Sequence, residues 1–165
     1  FRALHEAGTA LAHCPTSNNF LGSGLFRLAA ATDPRRPVRV GLATDVGGGT
    51  SLSMLRTMQA ACEVAQMVGT PLSPSGALYL ATRGAARALD LDDRIGTVAP
   101  GMDADLTVLD LNSTPLIEFR MRGVGDIDGV LAVQMALGDD RAIRATYVGG
   151  RLARDHEGQT LGGDA

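Results

Sequence analysis

Several features that often identify a protein's class are scarce or missing from these 165 residues. There is no tryptophan, aromatic residues make up only 4% of the chain, and there are 3 histidines and 2 cysteines. Two cysteines are too few for the disulfide framework of a small secreted domain. No apolar run approaches the roughly 18 residues of a membrane span, and no segment has the basic start and apolar middle of a signal peptide. These absences lead us to expect an intracellular, cytoplasmic protein.

A large excess of charge of one sign is also lacking, since 15 basic and 18 acidic residues leave a formal net charge of −3. A nucleic acid or an anionic membrane surface attracts proteins through basic patches, and this sequence has none. We therefore expect neither a nucleic-acid partner nor a membrane partner. What the chain does have is 45% hydrophobic residues, ample for one globular core, and 21 glycines, which predict many tight turns.

The most informative stretch is the run VRVGLATDVGGGT at residues 38–50. Val38, Val40 and Leu42 alternate as in a β-strand, and three consecutive glycines, residues 47–49, begin two positions after Asp45. Asp45 is thus predicted to lie at the carboxyl end of a strand, the edge at which α/β folds bind ligands and perform chemistry. Asp45 is a candidate catalytic or metal-binding residue, and the alternative is that it only caps the next helix.

A second predicted strand, residues 9–14, follows a short helix and is stopped by Pro15. Side chains alternate along a strand, so if His13 faces a site, Cys14 faces away from it. His13 is therefore a candidate site residue, with a purely structural histidine as the alternative.

The next ten residues, PTSNNFLGSG at 15–24, are rich in turn formers and are predicted to be an irregular loop. Two interpretations of Ser17, Asn18 and Ser23 are open. Their side chains offer hydrogen bonds to a ligand at the same edge, or they only stabilise a rigid turn through hydrogen bonds within the loop. A short helix over 25–31 then completes a strand–helix–strand unit, which requires the two strands to be parallel.

Two helices are predicted after the glycines. The first is capped by Thr50 or Ser51 and continues to residue 68, with Cys62 in its buried stripe as a packing residue rather than a nucleophile. The second begins with Ser73 as cap and Pro74 in its first turn and runs to about Leu89. The GGGTS run lacks the lysine of a phosphate-binding loop, which argues against phosphate binding.

From residue 91 the pattern changes to short apolar runs separated by glycine and proline, which is typical of small strands and tight turns. A helix is predicted at 127–137, and a hairpin is predicted from 143–148 through two glycines. Asp103 and Asp105 are interpreted as belonging to a solvated turn before a strand rather than as a functional carboxylate pair. The tail, 156–165, is predicted to be loose, and His156 in it has no evident partner.

Four motifs carry a resemblance to a known enzyme family: HCPTSN at 13–18, GLATDVGGGTS at 41–51, RGAARALDLDDRIGTVAPGMDADLTVLD at 83–110 and LGDDR at 137–141. Together they resemble the carboxyl-terminal part of the guanine deaminase family, within the amidohydrolase superfamily, over nearly the whole chain. The first three motifs are shared with chlorotriazine-type and adenosine-type aminohydrolases. LGDDR and the nearby YVGG favour the guanine deaminases.

The resemblance implies an α/β fold, namely the last part of a metal-dependent (β/α)₈ TIM barrel plus the carboxyl-terminal share of a small β-sandwich. Residues 9–14 resemble barrel strand seven and residues 38–45 resemble strand eight. The barrel portion is expected to occupy residues 1–90, and the sandwich share residues 91–155 with an inserted helix near 127–137.

The chemistry implied is hydrolytic deamination of guanine to xanthine and ammonia by a zinc-activated water, in a cytoplasmic homodimer of purine catabolism with one zinc per full-length subunit. Asp45 resembles the aspartate that contacts the metal and acts as base toward the water. His13 and Asn18 resemble residues of the substrate pocket. Guanine, 8-oxoguanine, a pterin or a triazine all present a comparable ring carbon, so the resemblance does not determine which of these rings is the substrate.

The family's other metal ligands, a His-x-His pair and two single histidines, have no counterpart in this sequence, and neither do its acid–base glutamate and guanine-binding arginine. Zinc needs three or four protein ligands, so we expect this chain alone neither to hold zinc tightly nor to deaminate guanine. The competing interpretation is a non-catalytic binding or assembly module, because two parallel strands cannot close a barrel and leave unpaired edges.

Overall fold

A computed structural model of the chain describes residues 1–155. It is an α/β structure with a two-stranded parallel sheet, a three-stranded antiparallel sheet, and helices that pack against one another and against the parallel sheet. In chain order the elements are α1 Arg2–Glu6, β1 Leu11–His13, α2 Pro15–Leu21, α3 Leu28–Ala31, β2 Val40–Leu42, α4 Met54–Met67, α5 Pro74–Ala81, α6 Arg83–Ala88, β3 Leu106–Leu109, α7 Pro115–Met121, α8 Ile127–Leu137, a 3₁₀ turn Asp140–Ala142, β4 Ile143–Val148 and β5 Arg151–Asp155. Among the described helices, none has the length and apolarity to cross a bilayer.

The parallel pairing predicted for the first two strands is confirmed. β1 and β2 lie side by side in parallel, with Leu11 opposite Val40 and His13 opposite Leu42. Both strands are shorter than predicted, although the backbone contact continues past their ends, where the Ala43 N–H donates to the His13 carbonyl at 3.0 Å. The carboxyl ends of the two strands therefore lie next to each other, and the segments that follow them share one edge.

The prediction of an irregular loop at 15–24 is wrong, because Pro15–Leu21 forms helix α2. Pro15 occupies the first turn, where its fixed φ suits a helix and its missing N–H costs nothing. Gly22 ends the helix in the left-handed conformation, with φ of 67°, and its N–H bonds to the Asn18 carbonyl. The turn-forming residues at the two ends are thus the start and stop signals of a short helix. The helix predicted at 25–31 is correspondingly reduced to four residues, Leu28–Ala31.

Helix α4 begins later than predicted. Its cap is Ser53, whose hydroxyl accepts a bond from the Arg56 N–H at 3.4 Å, rather than Thr50 or Ser51. The Ser51 hydroxyl instead accepts from the Ser53 N–H at 3.0 Å and orders the entry to the helix. The predicted apolar stripe is confirmed, since Leu55, Met58, Ala61 and others form the main buried cluster, against which Cys62 packs half-buried.

The single helix predicted from Pro74 to about Leu89 is in fact two, α5 and α6. The break falls at Thr82, which has φ of −121° and ψ of −96°. Its hydroxyl bonds back to the Leu78 carbonyl at 2.7 Å. The change of direction lets α6 pack against β2, with Gly84 so close that an added Cβ would lie 3.2 Å from the Val40 carbonyl oxygen. Ser73 is the cap of α5 and Pro74 is in its first turn, as predicted.

In the second half of the described chain, β3, β4 and β5 form an antiparallel sheet in that order, and the predicted hairpin turns at Gly149 and Gly150 with φ of 55° and 77°. Helix α8 coincides with the predicted span and packs against α4 and α5. Helix α7 was not predicted, although Thr114 caps it and Pro115 opens it. The predicted loose tail, 156–165, and His156 lie outside the described residues.

Candidate functional site

Asp45 lies just beyond the end of β2, at the edge where the sequence predicts it. It is exposed and has a left-handed backbone with φ of 48°, a conformation in which aspartate is enriched among residues that carry side chains. The chain then turns sharply, because Val46 and Gly49 form a β-bridge. At Gly49 an added Cβ would lie 1.9 Å from the Thr44 carbonyl oxygen, so this turn requires glycine. The glycine run thus folds the chain back beside the carboxylate.

One oxygen of the Asp45 carboxylate is held by α2. The Ser17 hydroxyl donates to Oδ2 of Asp45 at 2.7 Å, and the Ser17 residue is only 3% exposed. The sequence singles out Ser17 as a possible hydrogen-bonding residue, but nothing in it pairs Ser17 with Asp45. A buried donor at this distance orients the carboxylate and leaves its other oxygen available.

His13 is buried beside the same strand ends, with 3% of the residue exposed. Its ring stacks on Phe26, and its Nδ1 atom has no hydrogen-bond partner within residues 1–155. Burial lowers the pKa of His13 from 6.5 to about 4, because a buried imidazolium loses its hydration. His13 is therefore an uncharged imidazole near neutral pH, and its predicted contact with a substrate stays a prediction.

Cys14 and Asn18 complete the surroundings of the site. Cys14 lies past the end of β1, at the residue that precedes α2, and its side chain makes no capping hydrogen bond within the described chain, so strand alternation does not determine where its side chain points. Burial, and then the nearby charge of Asp45, raise the pKa of the Cys14 thiol, which disfavours a nucleophilic thiolate. Asn18 is half-buried in α2, and its carbonyl accepts from the Ser23 N–H at 2.9 Å. Its predicted pocket role is likewise untested by these contacts.

Other polar features of the sequence have structural partners. Asp103 pairs with Arg94 at 2.8 Å, whereas Asp105 accepts from the Gly149 N–H at 2.7 Å, which supports a structured surface turn rather than a functional carboxylate pair. In the LGDDR motif, Asp139 and Arg141 form an ion pair at 2.6 Å in the turn between α8 and β4. Burial raises the pKa of the Cys62 thiol, and nearby carboxylates add to the effect, as fits a packing residue.

The donor set at Asp45 does not by itself suit a zinc ion. Within the part of the chain that the structure describes, no three His, Cys, Asp or Glu side chains are grouped so that they could hold a metal. A protein zinc site needs at least three such ligands, and Asp45 offers one carboxylate of which Ser17 already occupies one oxygen. The described residues would thus supply one corner of such a site.

Comparison with models of protein families shows which family the chain belongs to. Residues 1–153 match the model of the amidohydrolase family. The chain belongs to that family. It is 47% identical over 149 residues to a guanine deaminase of Escherichia coli, a match that spans 90% of this chain and 34% of the relative. This amidohydrolase segment thus spans about a third of the length of the curated relatives that it matches.

Solved structures give the same result. The structure of the E. coli guanine deaminase superposes with a TM-score of 0.90 at 45% identity and covers 94% of this chain and 35% of that one. An adenosine deaminase from Xanthomonas campestris with bound zinc superposes with a TM-score of 0.76 at 27% identity, covering 96% of this chain and 35% of that one. The amidohydrolase segment therefore has the α/β structure of the corresponding part of these enzymes.

Proposed function

We propose that this segment is part of an enzyme that hydrolyses guanine to xanthine and ammonia, and that Asp45 is its catalytic carboxylate. The observation that carries the proposal is the position of Asp45 at the carboxyl end of a parallel strand, within a chain 47% identical to a guanine deaminase. In parallel α/β folds that edge is where catalytic side chains lie. The LGDDR and YVGG motifs favour guanine over the other rings.

The proposal includes the architecture that the relatives suggest. β1 and β2 would be strands seven and eight of a (β/α)₈ barrel occupying residues 1–90 of this segment. The three-stranded sheet would be the carboxyl-terminal share of a β-sandwich within residues 91–155. The open edges of the parallel pair support this part of the proposal, because a two-stranded parallel sheet needs neighbouring strands to bury its backbone.

Deamination adds water across the ring C=N bond at the carbon that bears the exocyclic amine, and the exocyclic C–N bond then breaks to release ammonia. A residue must accept a proton from the attacking water and another must return one to the departing amine. Asp45 is suited to the first role, since it is exposed at the strand edge while one of its oxygens is fixed by Ser17. The free oxygen is then the one that receives the proton.

The remaining features follow from the same assignment. Zinc, one per full-length subunit, would make the water reactive near neutral pH by lowering its pKa to about 7. Asp45 would provide one ligand atom and the rest of the enzyme the others. His13 and Asn18 would line the pocket wall, and the Nδ1 atom of the uncharged His13, unpartnered within the described residues, would be the group that hydrogen-bonds a ring without adding a positive charge. A cytoplasmic homodimer is the assembly that we propose.

An ammonia-release assay on the full-length protein tests the reaction. Guanine, 8-oxoguanine, adenine, cytosine, a pterin and a triazine are compared, and xanthine is identified by chromatography. We expect guanine to be the best substrate. Activity on another ring alone would contradict guanine as the substrate but would still support hydrolytic deamination as the reaction. Inactivity on every ring, in a natural protein that mass spectrometry shows to be no longer than 165 residues, would favour the binding or assembly module instead.

A further inference from the structure

We propose that Ser17 is the positioning residue for Asp45, and that the absence of a side chain at Gly48 is what allows the two to meet. The inference rests on the proposed function, in which Asp45 is the catalytic carboxylate. It adds two residues of this chain that the deamination chemistry would depend on without their touching the substrate.

The contact itself is the first observation. Ser17 is the third residue of α2, and its hydroxyl lies 2.7 Å from Oδ2 of Asp45 although the two residues are 28 positions apart. Ser17 is buried whereas Asp45 is exposed, so the rigid partner is the serine. A short side chain on an element packed against α4 can hold a carboxylate in one orientation, because few of its own torsions are free.

Gly48 is the second observation. A Cβ on Gly48 would lie 2.9 Å from the Ser17 hydroxyl oxygen and 3.0 Å from Oδ2 of Asp45. Real Cβ atoms rarely approach oxygen so closely, and both oxygens are on short side chains that cannot swing far aside. Gly48 has an ordinary negative-φ or extended backbone, since it is absent from the residues with positive φ. The need for glycine at position 48 is thus explained by the space that the Ser17–Asp45 pair occupies rather than by backbone conformation.

Holding one oxygen has a consequence for the other. A carboxylate free to rotate presents either oxygen in many directions, whereas one anchored through Oδ2 presents Oδ1 along a single direction. Small misplacements of a catalytic group cost large factors in rate, on the order of 100-fold for about 1 Å. The Ser17 bond would therefore act on turnover much more than on substrate binding.

The test uses the full-length protein carrying Ser17→Ala, with Ser113→Ala as the matched control, since the Ser113 hydroxyl is also buried but has no hydrogen-bond partner in the described region. We expect Ser17→Ala to lower kcat on guanine by about 10–100-fold with KM changed less than about threefold. In a crystal structure of the Ser17→Ala variant, the Asp45 carboxylate should lie in a different position from that in the wild type. The Ser113 variant should match the wild type in both respects.

A wild-type kcat in Ser17→Ala, or an Asp45 carboxylate that has not moved, would each overturn the proposal. Gly48→Ala is the second variant and covers the case in which Ser17→Ala does not fold, as judged by its thermal melt. It should reproduce the loss of kcat, and a folded Gly48→Ala enzyme with wild-type kcat would equally overturn the proposal. If the wild-type protein does not act on guanine, the proposed function fails, and the position of Asp45 in the variant crystal structures still decides the role of Ser17.

Discussion

The ring of His13 stacks on the ring of Phe26, with centroids 4.6 Å apart and 29° between their planes. This contact and the burial of His13 keep water from the imidazole, and burial lowers its pKa to about 4. We therefore expect the His13 ring signal in NMR spectra of histidine-labelled protein to stay constant from about pH 8 to pH 5.5. His13→Gln assigns the signal by removing it, and a titration midpoint near 6.5 would contradict the prediction.

The same pKa makes a prediction about stability. Unfolded His13 takes up a proton near pH 6.5, whereas folded His13 does so only near pH 4, so the unfolded state binds more protons between these values. The contribution of neutral His13 to the free energy of unfolding is therefore complete above about pH 6.5 and is lost as the pH falls to about 4. Urea titrations at several pH values should show a smaller loss in His13→Gln than in the wild type.

Asp45→Asn in the full-length protein is expected to lower turnover by orders of magnitude while leaving the fold intact, because an amide cannot accept the proton. Asp103→Asn is the matched control, since its carboxylate pairs with Arg94 in a surface turn and is expected to leave turnover near the wild-type value. Thermal melts of both variants report on folding. Near-normal turnover in Asp45→Asn would reduce Asp45 to a turn-forming role.

Gly41 sits in β2 where α6 crosses it. A Cβ at this position would lie 2.7 Å from the Ala85 Cα and 3.0 Å from its Cβ, both of which are fixed by a packed helix. We expect Gly41→Ala to lower the free energy of unfolding by about 1–3 kcal/mol, as overpacked cores do. Gly123→Ala, whose Cβ would meet nothing within 4 Å, should change stability little. Equal urea midpoints for the two variants would refute the close approach of β2 and α6.

The 165-residue chain on its own is expected to bind zinc only weakly and to release no ammonia from guanine. The reason is the donor set, since the described residues provide a single carboxylate at the site and zinc needs at least three ligands. A zinc titration of the purified chain by calorimetry checks this. Submicromolar affinity would contradict it, and Asp45→Asn in the same chain would then show whether Asp45 is one of the ligands.

Much of the local structure follows from patterns within a few residues. The apolar run stopped by Pro15 placed β1, strand alternation placed β2, and the predicted cap Ser73 marks the start of α5. The helix α2 was missed because Pro15 and Gly22, read as turn formers, are also the residues that open and close helices. The break at Thr82 has no local signal of comparable strength, because it depends on α6 packing against β2.

For the site, the sequence alone determined that Asp45 ends a strand and precedes a glycine turn, because alternation and the need for unusual backbone angles are local properties. It also pointed to His13 and Ser17 as polar residues near the neighbouring strand end. Only the tertiary structure decided that Ser17 holds Asp45, that Phe26 covers His13 and that Gly48 leaves room for the pair. Each of these joins residues from different elements, and their distance is set by how α2 and the two strands pack rather than by any spacing along the chain.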